Sequence, residues 1–183
     1  LDRLDKHFID AMVANIDQKI SQQLDAVMHH PTFQKMESSW RGLKFMVDRI
    51  DFRKNVKVEI LDVDKDELAE SFEDSPELIQ SPLYKHIYTD AYDQPGATPY
   101  ATIVSNFEFD SSAKDVNLLT NMSKVAASAH CPFLGSIGPK FFGKSSMEDW
   151  KKIPDLGAYM ETSDYIKWNA FRATDDSRYV GLT

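Results

Sequence analysis

The sequence predicts an α/β fold, a mixed sheet flanked by helices with a long N-terminal helical segment ahead of it. Three observations carry this. Apolar residues over the first fifty positions recur every three or four residues, the period of a helix with one buried face. Two short stretches, "VKVEILDV" (Val56 to Val63) and "YATIVSNF" (Tyr100 to Phe107), have strand character. From Tyr100 to Ile137 the order reads strand, helix, strand with short loops, which implies parallel strands and a right-handed crossover.

Each element follows from its residues. Leu1, Leu4, Phe8, Met12, Ile16, Ile20, Leu24 and Met28 mark a first helix without Gly or Pro. Pro31 ends it, because proline has no N–H to donate and its ring crowds the preceding turn. A second helix carries Phe33, Met36, Trp40, Leu43, Val47 and Ile50 on its inward face. Gly42 lies inside it, where glycine costs ~1 kcal/mol against alanine, so a close approach by neighbouring backbone is expected there. After the strand at 56–63, Asp64 and Glu67 have capping-box spacing for a short helix bearing Leu68 and Phe72. Ser81-Pro82 opens another, and "DQPGATP" (Asp93 to Pro99) is a loop.

Asp110 or Ser111 caps a helix running to about His130, with Val116, Leu119, Met122, Val125 and Ala129 turned inward. Pro132 stops it, and "FLGSI" (Phe133 to Ile137) is the next strand. Short helices follow near 147–152 and 155–161, then one from about Asp164 to Ala173. The chain closes on "RYVGLT", a strand in its first residues. With no Met at position 1, this reads as a single-domain piece of a longer protein: a helical segment over 1–52 and an α/β body over 53–183.

Composition narrows the function. The chain has 183 residues, 42% of them hydrophobic, and a net charge of −8. That is enough apolar content for a core, and the acidic balance excludes nucleic acid as the main partner, since phosphate binding needs clustered Lys and Arg. The acids concentrate between Glu59 and Glu77, where nine Asp or Glu surround one base, Lys65. This is a solvated helix face; the spacing and central glycine of a calcium-binding EF-hand loop are absent. One cysteine, Cys131, allows no intrachain disulfide and fits a reducing compartment. No signal-peptide pattern opens the chain and no apolar run reaches ~18 residues, so a cytoplasmic protein without membrane insertion is expected.

Four groups could carry chemistry. "GPKFFGKS" (Gly138 to Ser145) fits the spacing of a phosphate-binding P-loop, and a nucleotide-binding enzyme is the alternative function. Against it, Pro139 lacks an N–H, Phe141 and Phe142 fill the turn, and Glu148 and Asp149 would repel phosphate at the next helix. His29 and His30 are adjacent, about 100° apart on a helix, and cannot share a metal from a regular helix. They fit capping at the break before Pro31. His130 beside Cys131 lacks an orienting third group and reads as a small buried thiol next to a helix end. Arg172, Asp175, Asp176 and Arg178 form a mixed charge cluster explained by local ion pairs. No catalytic, cofactor or metal residues emerge, and no enzymatic activity is expected.

Longer blocks are more specific. "LDAVMHHPTFQKMESSWRGLKFMVD" (Leu24 to Asp48) resembles the hallmark segment of the large subunit of the bacterial type VI secretion contractile sheath (TssC/VipB-like). His29, His30, Pro31, Phe33, Gln34, Trp40, Arg41, Gly42 and Leu43 carry that match. "SPLYKHIYTDAYDQPGATPYATIVSNFEF" (Ser81 to Phe109), "AASAHCPFLGSIGPKFFG" (Ala126 to Gly143) and "KWNAFRATDDSRYVGLT" (Lys167 to Thr183) are similar to later blocks of the family, in order. The resemblance implies a phage tail-like structural subunit. It would pair with a small sheath subunit, polymerise around an inner tube of hexameric rings, contract to propel that tube, and be disassembled by a AAA+ ATPase. The resemblance and the charge cluster together make His29, His30, Pro31, Phe33, Trp40, Arg41, Gly42, Arg172 and Arg178 structural or interaction candidates.

Overall fold

The computed structural model describes residues 6–183, which fall into two compact units, one ending at Glu59 and the other running from Ile60 to Thr183. In the first unit, helix α1 spans Lys6–Met28 and α2 spans Pro31–Val47. Leu1 and Leu4 of the first apolar stripe lie outside the described residues. His30 sits in the extended region at φ −68° and ψ 131°, and its Nδ1 accepts the Thr32 N–H at 3.3 Å, capping α2. Pro31 takes the first helical position, where its missing N–H costs nothing.

Three expectations for this region need correction. The α2 residues Phe33 and Leu43 are half-buried, but Met36 and Trp40 are exposed, Trp40 at 65%. Two helices alone have no third layer to enclose a side chain, and no residue of α1 or α2 is buried. Gly42 is not a close-approach site, because a Cβ built there meets nothing within 4 Å. Val56 to Val63 is not a strand. The stretch lacks any ladder partner among the described residues, and Val56, Ile60 and Leu61 are exposed. Alternation gives a strand a face to bury, but the strand still needs a neighbour to take its hydrogen bonds.

The second unit is an α/β layer structure. Helix α3 (Lys65–Glu73) begins at a capping box in which the Asp64 N–H donates to Glu67 Oε2 at 3.1 Å, and it buries Leu68, Ala69 and Phe72. Ser81 Oγ accepts the Tyr84 N–H and opens α4 (Pro82–Tyr84), which continues as a π-helical turn over Lys85–Asp90. Strand β1 (Ile103–Phe109) starts and ends slightly later than the sequence suggests. Helix α5 (Ala113–Ser128) is capped by Ser112 rather than by Asp110 or Ser111. Asp110 instead holds the turn before it, accepting the Ser112 N–H at 2.8 Å. At the far end, His130 adopts the left-handed conformation (φ 52°). The His130 N–H reaches Ala127 O at 3.3 Å and the Cys131 N–H reaches Ala126 O at 2.9 Å, a Schellman closure.

Strand β2 (Phe133–Ile137), helices α6 (Leu156–Met160) and α7 (Ile166–Arg172), and strand β3 (Val180–Leu182) complete the unit. The sheet order is β1-β2-β3 and both pairings are parallel, with Ile103 opposite Phe133 and Phe133 opposite Val180. Val116, Leu119, Met122, Val125 and Ala129 of α5 and the following residue are all buried, in one core with Phe109, Phe133 and Val180. Gly135 makes room for this packing. A Cβ there would stand 2.7 Å from Phe109 Cε2 and 3.0 Å from Leu182 Cδ2, so the Phe109 ring lies across bare backbone.

Candidate assembly surfaces and the glycine-rich turn

"GPKFFGKS" folds as a turn that faces inward. Pro139–Phe142 form one 3₁₀ turn, closed by Gly143 at φ 61°. Three of its N–H groups are used within the turn: Phe141 N–H on Gly138 O, Gly143 N–H on Lys140 O and Lys144 N–H on Pro139 O, each at 3.0 Å. Phe141 and Phe142 are buried, Phe141 edge-on to Trp168 and Phe142 edge-on to Trp150. Their carbonyls accept the Tyr165 and Tyr159 hydroxyls, both at 2.8 Å. Beside Gly138 lies the Glu108 side chain, its carboxyl carbon 2.7 Å from where a Cβ would be. A phosphate cradle needs free N–H groups and no fixed anion; this turn has the Phe141, Gly143 and Lys144 donors occupied and a carboxylate next to it.

The densest polar cluster was not evident in the sequence. The Asp115 side chain is 5% exposed and its Oδ2 accepts from Lys65 Nζ at 2.8 Å and from the Asp110 N–H at 2.7 Å. Lys65 Nζ also donates to Glu108 O at 2.9 Å. One ammonium therefore ties the first residue of α3 to the end of β1 and the first turn of α5. The available signal was Lys65 itself, the lone base among nine acids. Beside it, Lys114 pairs with Asp66 at 2.7 Å, and Asp66, Glu70 and Glu73 raise the Lys114 pKa.

The remaining candidates separate in space. His29 Nδ1 lies 2.8 Å from Asp25 O, and Arg41 pairs with Glu37 one turn back at 2.7 Å. Arg172 does not meet Asp175 or Asp176; its Nη1 donates to Ser177 O at 3.2 Å and its guanidinium lies 5.9 Å from the Trp168 ring. Arg178 rests over the Tyr179 ring. The imidazole of His130 points to the Tyr179 hydroxyl, 3.0 Å from Nδ1. Cys131 is fully buried, and burial pushes its thiol up to about 11, so it is a packing residue at neutral pH. Among the described residues, no three His, Cys, Asp or Glu side chains gather as a metal site, and no helix is long and apolar enough to cross a membrane.

Polar clusters that brace elements, a glycine-rich turn packed with aromatics, and helix faces left open in the first unit define a structural module. The chain belongs to the VipB family, described as EvpB/VC_A0108, tail sheath N-terminal domain, whose model matches residues 10–183. It is 35% identical over 177 residues to the type VI secretion system sheath protein TssC1 of Pseudomonas aeruginosa, a match covering 96% of this chain and 36% of that protein. The chain thus spans about a third of the length of this relative.

Proposed function

We propose that this chain is the N-terminal part of the large subunit of a contractile type VI secretion sheath, with a structural rather than catalytic role. The family match across residues 10–183 carries the reading. On it, the whole protein pairs with a small sheath subunit, polymerises around an inner tube of hexameric rings and contracts to drive that tube outward. A AAA+ ATPase then recycles the contracted polymer in the cytoplasm. That the chain's relative in Pseudomonas aeruginosa is a type VI secretion system sheath protein supports the assignment. The inward-facing glycine-rich turn supports it over nucleotide chemistry.

Within this reading the chain is one piece of a longer subunit, with a helical segment over 1–52 and an α/β body over 53–183. His29, His30 and Pro31 shape the break between the two helices, and Gly42 lies on the open face of α2. Phe33, Trp40 and Arg41 present its surface, while Arg172 and Arg178 brace the approach to β3. Exposed Trp40 suits an interface better than a core. The test is co-expression of the full-length large subunit with the small sheath subunit, followed by negative-stain electron microscopy. Tubules are expected; two soluble proteins that never co-assemble would refute the assignment.

A further inference from the structure

The two units carry opposite surface chemistry in neighbouring stretches. Between Lys44 and Lys57 there are five bases and two acids; between Glu59 and Glu77 there are nine acids and one base. The basic stretch covers the end of α2 and the 3₁₀ turn Phe52–Lys54. Its acids are already used, Asp48 by Lys44 at 2.9 Å and Asp51 by Arg53 at 2.8 Å. Among the described residues, Arg49, Lys54 and Lys57 form no salt bridge. Apolar surface is interleaved: Phe45 and Phe52 are exposed, and the Arg49 guanidinium lies 3.4 Å from the centre of the Phe45 ring.

The acidic stretch mirrors this. Lys65 is turned to Asp115, and Lys114 of α5 pairs with Asp66 beside Glu70 and Glu73, so the acids of this stretch still outnumber the bases that reach them. Glu70, Asp74 and Glu77 are exposed, as are Ile60, Leu61 and Ile79 in the same part of the chain.

We propose that the Phe45–Lys57 surface of one copy docks on the α3 face of a second copy of this chain, a head-to-tail contact between successive large subunits. This rests on the sheath reading. An open helical polymer is built from heterologous contacts, in which each copy carries two unlike, complementary patches. A cationic aromatic patch and an anionic apolar patch on the same chain meet that requirement, and opposite charge fixes the register and excludes wrong pairings.

The experiment is a charge swap on this chain, read by sedimentation velocity. One variant carries Arg49→Glu, Lys54→Glu and Lys57→Glu; the other carries Glu70→Lys, Asp74→Lys and Glu77→Lys. Circular dichroism melts first establish that both fold like the parent. At low ionic strength, where the screening length is ~30 Å at about 0.01 M salt, the parent should associate with rising concentration. Association should weaken toward ~0.15 M, where the screening length is about 8 Å. This direction is diagnostic, because repulsion between chains of net charge −8 makes indiscriminate association strengthen with salt instead.

Each variant alone should need at least ~10-fold more protein to associate, because like charges then face each other. An equimolar mixture should recover association, since each patch meets an opposite one on the other variant. The proposal is overturned by a parent that shows no concentration dependence, which includes intramolecular neutralisation of the patches. It is equally overturned by single variants that associate like the parent, or by a mixture that does not recover. Those results leave tubule formation with the small subunit as a separate question, so the contact and the sheath assignment fail independently.

Discussion

Replacing Asp115 with alanine should be the most destabilising change to any polar residue of the second unit. The carboxylate accepts two hydrogen bonds, one from an ammonium and one from a backbone N–H, at 2.8 and 2.7 Å. Breaking a fully buried ion pair by deleting one partner costs ~3–5 kcal/mol. Here the Lys65 side chain is 29% exposed and keeps Glu108 O as an acceptor, so its share of that penalty is reduced. The Asp110 N–H loses its acceptor, a loss of about 1–3 kcal/mol where water cannot replace it. Together these give ~2–4 kcal/mol for Asp115→Ala. Lys65→Met keeps the aliphatic stem but leaves a carboxylate only 5% exposed with the Asp110 N–H as its remaining donor, so it should cost a comparable ~2–3 kcal/mol.

Urea melts followed by tryptophan fluorescence would measure both, since Trp150 and Trp168 report on this unit. The double variant completes a cycle, and a coupling of ~1–2 kcal/mol is expected because the two groups touch. A loss under ~1 kcal/mol for Asp115→Ala, or strictly additive single variants, would refute the view that this pair holds α3, β1 and α5 together.

Other substitutions test other layers. Trp40→Ala should change stability by no more than ~0.5 kcal/mol, whereas Phe133→Ala should cost ~3–5 kcal/mol; equal costs in urea melts would contradict the burial assignments. Gly135→Ala should cost ~1–3 kcal/mol by driving a methyl into the Phe109 ring, and a Phe109→Leu background should recover part of that loss. Burial pushes the Tyr165 hydroxyl from its ordinary 10.0 up to about 12, helped by neighbouring Tyr159. The raised value means its contribution is complete below pH 10 and lost as pH rises through about 12, so Tyr165→Phe should flatten that stretch of the stability profile. Titration calorimetry of Mg-ATP into the chain should give only heat of dilution, and micromolar binding abolished by Lys144→Ala would restore the P-loop reading.

Much of the second unit was legible because its signals are local and mutually consistent. In α5 the period and the stop before Pro132 agree, although the cap falls on Ser112 rather than on Asp110 or Ser111, and β2 is a short apolar run between turn residues. The inward set Val116, Leu119, Met122, Val125 and Ala129 is buried as expected. Val56 to Val63 misled because alternation says which face a strand would bury and nothing about whether a partner exists. Trp40 misled because helical periodicity identifies an apolar face without saying what covers it. Lys65 and Asp115 are 50 positions apart, and no local pattern links them. Gly135 likewise looks ordinary until the ring of Phe109, 26 positions earlier, is placed over it.

The two units spend apolar residues differently, and this is where fold and function meet. In the second, the sheet and the helices packed on it close over Phe109, Leu119, Met122 and Val125, leaving these side chains almost no contact with water. In the first, Phe8, Met12, Ile16, Ile20 and Leu24 of α1 stay half or more exposed. Covering this surface would be favourable, because each buried CH₂ is worth ~0.8 kcal/mol. Contiguous exposed apolar faces of this kind mark places where another polypeptide packs. A polymer subunit must hold its own core and still present unsatisfied surface to its neighbours. On the sheath reading proposed above, the α/β unit would supply the first requirement and the helical unit the second, with the open faces of α1 and α2 as surface on which a neighbour can pack.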